Sequence, residues 1–205
     1  MRTILRGTER LTLELDGTLP AGARDLVPTP LEVGAGRVRV NLLLFAMAGL
    51  RMRGVPWPRF DYREALWRID VTYQGAAGWF AIACDLDSAP IRVLGRRLVR
   101  YPTRAARIDE AWSVETDDAA FRCSVDETPS TPAPLAARRT FVVDDRTVFE
   151  VPWQEIAAPT RRTARVDVTT DTLAALTFGH AVEWADAGTV HRGRLHHCGV
   201  AAWLA

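Results

Sequence analysis

Residues 65–86, ALWRIDVTYQGAAGWFAIACDL, decide the fold class that we predict for this chain. Apolar side chains recur through residues 65–73 and again through residues 79–86, a pattern typical of buried or half-buried β-strands. Residues 74–78, QGAAG, separate the two runs with glycine and small side chains. The stretch therefore predicts a β-hairpin with a five-residue loop.

The strand pattern continues on both sides of this hairpin. Further strands are predicted at residues 11–15, 38–47, 105–115, 119–126, 139–143, 147–153 and 191–200. Short helices are predicted at residues 88–98 and 171–178, turns at 144–146 and 185–188, and a surface loop at 127–134. We expect a single domain over residues 1–205, mainly β (all-β or α+β), with about ten mostly antiparallel strands. A closed or cone-like barrel of that size can enclose a ligand cavity.

Composition excludes several classes of function. Apolar residues make up 48% of the 205 residues and charged residues 25%, which is typical of globular proteins. The net charge of +1 leaves no basic surface of the kind that binds nucleic acid. All 26 basic side chains are arginine, because the chain contains no lysine. No side chain can therefore form a lysine imine or anchor pyridoxal phosphate.

The sequence predicts a cytoplasmic protein, with a bacterial cytoplasm as the expected location. Residues 1–10 lack the apolar core of a signal peptide, and the longest apolar run, residues 40–50, is too short for a membrane helix. Cys84, Cys123 and Cys198 have no CxxC spacing and are interpreted as reduced thiols. We therefore expect neither a membrane nor a nucleic acid as partner.

Common catalytic and metal-binding signatures are missing from the sequence. None of the four serines lies in a GxSxG motif, and the four histidines form no HExxH motif. We expect no metal and no cofactor. One segment combines charged residues with the elements that could position them: Glu64 lies at the start of a predicted strand, and Arg104 follows a predicted helix. Such a pair is costly to bury unless it is paired or used on a ligand, and an ion pair at the barrel rim is the simpler interpretation.

Residues 62–104 carry a resemblance to a known family. Their landmarks are a Y-x-E start, a G-x-x-G hairpin, an L-D pair, a G-R pair and a Y-P pair. With VPTPLEV at residues 27–33 and VRVN at 38–41, they resemble the acetoacetate decarboxylase-like superfamily. Val151-Pro152-Trp153, followed by Ala157 and Pro159, is more similar to its uncharacterised branch, domain of unknown function 2071 (DUF2071). The resemblance implies a β-barrel or cone with two or three short helices.

The resemblance also implies that the family's nucleophile is missing. In decarboxylases the lysine that forms the Schiff base directly follows the Y-P pair, and this chain has Thr103 there. A second lysine, which lowers the pKa of the first, corresponds to Arg104. Decarboxylation through a lysine imine is therefore excluded, as are the lysine-dependent aldol and dehydration reactions of relatives.

Other parts of the family's site have counterparts in this chain. One cavity carboxylate corresponds to Glu64, the other falls on Asn41, and the tyrosine beside the lysine corresponds to Tyr101. The resemblance further implies an N-terminal arginine that binds the substrate carboxylate, for which Arg6 and Arg10 are the candidates.

Two functions remain open at this stage. In the first, a non-covalent enzyme binds a small oxo acid or β-dicarbonyl compound and isomerises, cyclises, hydrates or dehydrates it. Its predicted catalytic residues are Glu64, Arg104 and Tyr101, and its predicted substrate-binding residues are Asn41, Thr103 and Tyr62. In the alternative, the chain is a non-catalytic binding or structural protein on the same fold. A homo-oligomer is plausible because relatives assemble.

Overall fold

The chain folds mainly into β-strands in the computed structural model, which describes residues 5–52, 54, 58–127, 139–144, 147–151, 153–155, 160–198 and 202–203. The strands are β1 (Leu5–Leu19), β2 (Val38–Met52), β3 (Phe60–Tyr73), β4 (Ala76–Leu86), β5 (Thr103–Ala105), β6 (Arg107–Ile108), β7 (Val114–Glu115), β8 (Ala120–Glu127), β9 (Arg139–Asp144), β10 (Thr147–Val151), β11 (Trp153–Glu155), β12 (Thr160–Thr170), β13 (Glu183–Cys198) and β14 (Ala202–Trp203). The helices are short: α1 (Ala89–Leu94), which continues as a π-helical turn (Gly95–Val99), α2 (Thr172–Phe178) and a 3₁₀ segment (Ala21–Leu26). This confirms the predicted mainly β fold and both predicted helices.

The strands form one open, mixed sheet. Its order is β14-β10-β9-β4-β3-β2-β1-β13-β12-β8-β7-β6, and β5 and β11 add to β4 and β13. Neighbouring strands are antiparallel except that β4 runs parallel to both β5 and β9. Long antiparallel pairing between β1, β2, β3 and β4 forms the centre of the sheet.

The central hairpin has a tighter turn than we predicted. β3 and β4 pair as far as Tyr73 and Ala76, so the turn contains two residues, Gln74 and Gly75, instead of five. Both have positive φ, 49° and 77°, which is the backbone of the two-residue turns that match the strand twist. The small side chains of residues 76–78 belong to β4, and Gly78 lies against Phe141 where β4 meets β9.

Three other boundaries differ from the prediction. Residues 105–115 form the short strands β6 and β7, because Asp109 accepts backbone hydrogen bonds from Ala111 and Ser113 and turns the chain. Residues 185–188, predicted as a turn, lie inside β13 at a register shift against β1, where Leu15 pairs with Gly188 and Gly17 with Trp184. Strand β12 was not predicted. The predicted loop at 127–134 and turn at 144–146 fall mostly outside the described residues.

Side chains of the central strands alternate between two faces. The Trp67 face carries Leu13, Leu42, Leu44, Trp67 and Ile69, and the Glu64 face carries Thr12, Glu14, Asn41, Phe45, Glu64, Arg68 and Cys84. On the Trp67 face, Trp67 makes edge-to-face contacts with Phe121 of β8 and Phe178 of α2, at ring-centroid distances of 5.7 and 6.0 Å. This face is the larger apolar core, so the polar side chains collect on the other one.

No helix among the described residues is long and apolar enough to span a membrane.

Candidate functional site

Three rows of register-paired residues cross the Glu64 face and bring its polar groups together. The first row contains His191, Thr12, Phe45, Glu64 and Leu86. The second contains Glu14, Leu43, Leu66, Cys84 and Thr103. The third contains Asp16, Asn41, Arg68 and Ala81. Because side chains of one face recur every second residue, Glu64 and Arg68 of β3 lie two rows apart on the same face.

Glu64 is buried in an apolar environment. The residue is only 3% exposed and lies beside the apolar cluster that includes Phe45, Tyr62 and Leu66. Cys84, on the neighbouring strand β4, donates a hydrogen bond from Sγ to Oε1 of Glu64 over 3.2 Å. Burial, reinforced by the adjacent carboxylate, raises the pKa of the Cys84 thiol well above its usual value, so the thiol stays protonated and remains a donor.

Arg68 is the cation of this face, and the sequence analysis missed it. Its Nε donates to Oδ1 of Asn41 over 3.0 Å, and its Nη2 donates to the same oxygen and to Oε1 of Glu14, the latter over 3.0 Å. The guanidinium also stacks on the ring of Trp79 at 5.1 Å. Burial lowers the pKa of Arg68, and Glu14 and Asp16 act in the opposite direction. Within the described part of the chain, Nη1 makes no hydrogen bond.

The partners of Arg68 are themselves connected. Nδ2 of Asn41 donates to Oδ1 of Asp16 over 2.7 Å, and Nε2 of the fully buried His191 lies 3.7 Å from Oε2 of Glu14. Thr12, in the row of Glu64, has a buried hydroxyl that makes no hydrogen bond to the described residues. A signal for Arg68 was present in the sequence: it interrupts an apolar strand at a spacing of four residues from Glu64, which places both on one face.

Tyr101 reaches this face from the segment before β5. It is 4% exposed, packs in the same apolar cluster as Tyr62, and lies close enough to Arg68 to interact with it electrostatically. The structure thus places four of the predicted site residues on the Glu64 face or against it: Glu64, Tyr101, Asn41 and Tyr62. The ring of Tyr62 packs edge-to-face on Phe45 at 6.2 Å.

Arg104 does not join Glu64. It pairs in register with Asp85, on the Trp67 face, and its Nε and Nη2 donate to the two carboxylate oxygens of Asp85 over 2.7 and 2.8 Å. Nη2 also donates to Thr177 of α2, and Asp85 accepts a further hydrogen bond from Nε1 of Trp67. The guanidinium therefore joins β4, β5 and α2, on the opposite side of the sheet from Glu64.

Thr103 lies on the Glu64 face, but its hydroxyl is engaged elsewhere. Oγ1 accepts a hydrogen bond from Nε of Arg96 over 2.8 Å and donates to the carbonyl oxygen of Arg92 over 3.3 Å. These contacts attach β5 to helix α1 and the π-helical turn. The side chains of Arg6 and Arg10, the candidate carboxylate binders, lie outside the described residues.

A cavity of about 470 Å³ shares Phe45 and Tyr62 with the surroundings of Glu64. It is lined by Leu11, Leu44, Phe45, Ala46, Met47, Asp61, Tyr62, Arg63, Asp87, Ile108, Asp109, Glu110 and Trp112. Neither Glu64 nor Arg68 lines it. Within the described ranges, no group of three or more histidine, cysteine or carboxylate side chains is arranged to hold a metal ion.

Comparison with known proteins agrees with this architecture. The model of a family described as acetoacetate decarboxylase (ADC) matches residues 17–136. An acetoacetate decarboxylase-like enzyme from Sphingomonas wittichii RW1 superposes with a TM-score of 0.73 and 18% identity, over 100% of this chain and 94% of that chain. Acetoacetate decarboxylase from Legionella pneumophila subsp. pneumophila str. Philadelphia 1 gives 0.71 and 14%, over 100% and 90%.

A third solved structure with the same architecture is a biosynthetic enzyme. The enduracididine biosynthesis enzyme MppR, complexed with pyruvate, superposes with a TM-score of 0.66 and 14% identity, over 100% of this chain and 92% of that chain. At identities this low the likeness establishes the fold alone. No curated protein matches the sequence.

Proposed function

Because the chain belongs to the acetoacetate decarboxylase family, we propose that it binds a small oxo acid or β-dicarbonyl compound on the Glu64 face and moves a proton on it. The observation that carries this proposal is a buried carboxylate, Glu64, and a buried guanidinium, Arg68, on one face of a chain without lysine. Buried charges of this kind are expensive to maintain and are concentrated at functional sites.

Arg68 is assigned to the substrate carboxylate, in place of Arg104. Its Nη1 makes no hydrogen bond to the described residues, while Asn41 and Glu14 hold Nε and Nη2 and so orient the guanidinium. A guanidinium held in this way presents a planar donor to a carboxylate. Arg104 is occupied by Asp85 and is assigned a structural role.

Glu64 is assigned as general base and acid. Glu64 and Arg68 are four positions apart on an extended strand, so their Cα atoms lie about 13 Å apart. The Glu64 carboxylate contacts Cys84 on β4 and the Arg68 guanidinium contacts Glu14 on β1, so a substrate that reaches both charges would have to extend along the row between them. Glu64 would take a proton from the carbon beside the ketone, the electron pair would move to the carbonyl oxygen, and the proton would return at another position.

The remaining residues of this face orient the substrate. The Tyr101 hydroxyl, close to Arg68, is suited to donate a hydrogen bond to the carbonyl oxygen as it gains charge. Asn41 acts through Arg68, and Tyr62 forms part of the apolar wall. Thr103 is assigned to the attachment of α1 and not to the substrate. The reaction class is an isomerisation, a cyclisation, or a hydration or dehydration.

The experiment that tests the proposal is proton exchange in deuterium oxide. Pyruvate, a set of 3-oxo acids and a set of 1,3-diketones are incubated with the wild type and with Glu64→Gln. Loss of protons beside the ketone is followed by NMR, and any product by mass spectrometry. We expect exchange above background with the wild type, and a loss of at least about 100-fold in Glu64→Gln, the usual contribution of a general base.

Two further variants complete this experiment. Glu110→Gln is the control, because it removes a carboxylate whose side chain is 90% exposed. We expect this variant to exchange protons at the wild-type rate. Arg68→Met is expected to raise the apparent KM for oxo acids and to leave that for uncharged diketones nearly unchanged. Wild-type exchange rates in Glu64→Gln would remove Glu64 from the mechanism.

The alternative function is a non-catalytic small-molecule-binding protein on the same fold. It is favoured by the positions that correspond, through the resemblance, to the two family lysines. Thr103 and Arg104 are both engaged in contacts that join secondary structure elements. Under this alternative, oxo acids raise the melting temperature of the wild type and of Glu64→Gln equally, and no exchange is observed with either protein.

We also propose assignments for the branch of the family, the cellular location, the oligomeric state and nucleic-acid binding. We assign the chain to a branch similar to DUF2071 on its Val151-Pro152-Trp153 segment. A cytoplasmic location in a bacterium, a homo-oligomeric state and the absence of nucleic-acid binding are likewise proposed. The net charge of +1 supports the last of these.

A further inference from the structure

Cys84 contacts Glu64 from the neighbouring strand β4. Leu66 of β3 pairs in register with Cys84 of β4, so Cys84 and Glu64 are diagonal neighbours on one face. Sγ and Oε1 lie 3.2 Å apart, and both residues are buried. A carboxylate can only accept, so the thiol is the donor of this hydrogen bond.

The thiol is suited to act as a permanent donor and not as a nucleophile. Burial, with Glu64 and Asp85 nearby, raises the pKa of Cys84 well above its usual value. A thiol of this kind stays protonated over the physiological range, and the thiolate required for nucleophilic attack is not populated. Its proton therefore remains available to the carboxylate.

We propose that Cys84 is a positioning residue for Glu64: its thiol holds Oε1 of the carboxylate and favours the ionised form. The inference rests on the proposed role of Glu64 as the proton-transferring group. A hydrogen bond to the charged form of an acid favours that form over the neutral one, so loss of the thiol should disfavour the Glu64 carboxylate.

Other titratable and charged groups also lie on the Glu64 face or against it, and the substitution of Cys84 removes none of them. They are Tyr62 and Arg68 on β3, Glu14 on β1, His191 on β13 and Tyr101 before β5. A change in the titration of Glu64 on substitution of Cys84 can therefore be assigned to the thiol.

The chain contains a matched control thiol. Cys123 of β8 is also free and buried, but it lies in the core of the Trp67 face. Burial alone raises its pKa to about 12, with no contribution from a carboxylate. The variants Cys84→Ala, Cys84→Ser and Cys123→Ala thus separate the loss of the Glu64 contact from the loss of a buried sulfur.

Infrared spectroscopy tests the proposal without any substrate. The titration of Glu64 is read from the carbonyl band of its protonated carboxyl group, as the difference between each protein and the same protein with Glu64→Gln. We expect Cys84→Ala to raise the midpoint by about one pH unit or more, because a hydrogen bond to a charged group is lost. Cys84→Ser keeps a donor and is expected to restore most of the shift, whereas Cys123→Ala should cause none.

The thiol band provides a second measurement that needs no cysteine variant. The S–H band of Cys84 is expected to lie below that of Cys123 and to move toward it in Glu64→Gln. An unmoved band in Glu64→Gln, or an unmoved Glu64 midpoint in Cys84→Ala, would overturn the positioning role. The infrared measurement reads the contact itself and the exchange experiment reads proton transfer, so either proposal can fail while the other stands.

Discussion

Arg104→Met is the substitution that separates a structural arginine from a catalytic one. Arg104 donates two hydrogen bonds to the carboxylate of Asp85, which is fully buried. Methionine keeps much of the apolar volume of the arginine stem but removes the guanidinium. The Asp85 carboxylate would then retain, among the contacts described, only the hydrogen bond from Nε1 of Trp67.

The expected cost is set by the carboxylate that is left behind. Removing one partner of a buried ion pair destabilises a protein by about 3–5 kcal/mol. The Arg104 side chain is 33% exposed, so water can partly replace it and the free energy of unfolding should fall by about 2–3 kcal/mol. At about 2–4 °C per kcal/mol for a chain of this length, the melting temperature should fall by about 4–12 °C.

Urea denaturation and calorimetry measure this change, with Arg97→Met as the matched control. Arg97 is exposed in the π-helical turn, so its replacement should cost less than about 0.5 kcal/mol. Below its melting temperature, Arg104→Met should bind pyruvate and exchange its protons as the wild type does. A stability loss no larger than that of Arg97→Met, or a selective loss of exchange in the folded variant, would refute the structural assignment.

Three further predictions concern packing and protonation. Gly78→Ala places Cβ against the Phe141 ring and 2.9 Å from the Arg139 carbonyl oxygen. Urea denaturation should therefore show that the free energy of unfolding falls by about 1–3 kcal/mol. The fall should be smaller in the control Gly22→Ala, where Cβ meets nothing within 4 Å. Asn41→Ala removes an acceptor from buried Arg68 and should cost about 2–3 kcal/mol in the same assay; a loss under about 0.5 kcal/mol would contradict this. The pKa of Cys123 rises on folding from 9.0 to about 12. Between pH 9 and 12 the unfolded chain therefore binds fewer protons than the folded protein, and the free energy of unfolding should fall as the pH rises through this range. Cys123→Ala should flatten that pH dependence by up to about 1.4 kcal/mol per pH unit, and unchanged slopes would argue against the raised pKa.

Local patterns were sufficient where the chain pairs with its near neighbours. The hairpin of β3 and β4 follows from two apolar runs and a glycine-containing turn, and its register follows from Gln74 and Gly75. At residues 185–188 the local turn signal coincides with a register shift between β1 and β13, and Ala187 and Gly188 stay in the strand by pairing with the distant strand β12. Strand β12 was missed although Ala164, Val166 and Val168 alternate with polar side chains, and it pairs with the distant strands β8 and β13.

By itself, the sequence determined the mainly β fold, the family and the absence of any lysine, since these depend on composition, periodicity and motifs. It also contained Glu64 and Arg68 at a spacing that places both on one face of a strand. Only the tertiary structure decided which of the neighbours Thr103 and Arg104 faces Glu64. Adjacent residues of a strand point to opposite faces, and pairing of Cys84 with Thr103 and of Asp85 with Arg104 directs Arg104 away from Glu64. That register depends on contacts between segments far apart in sequence, which no local pattern records.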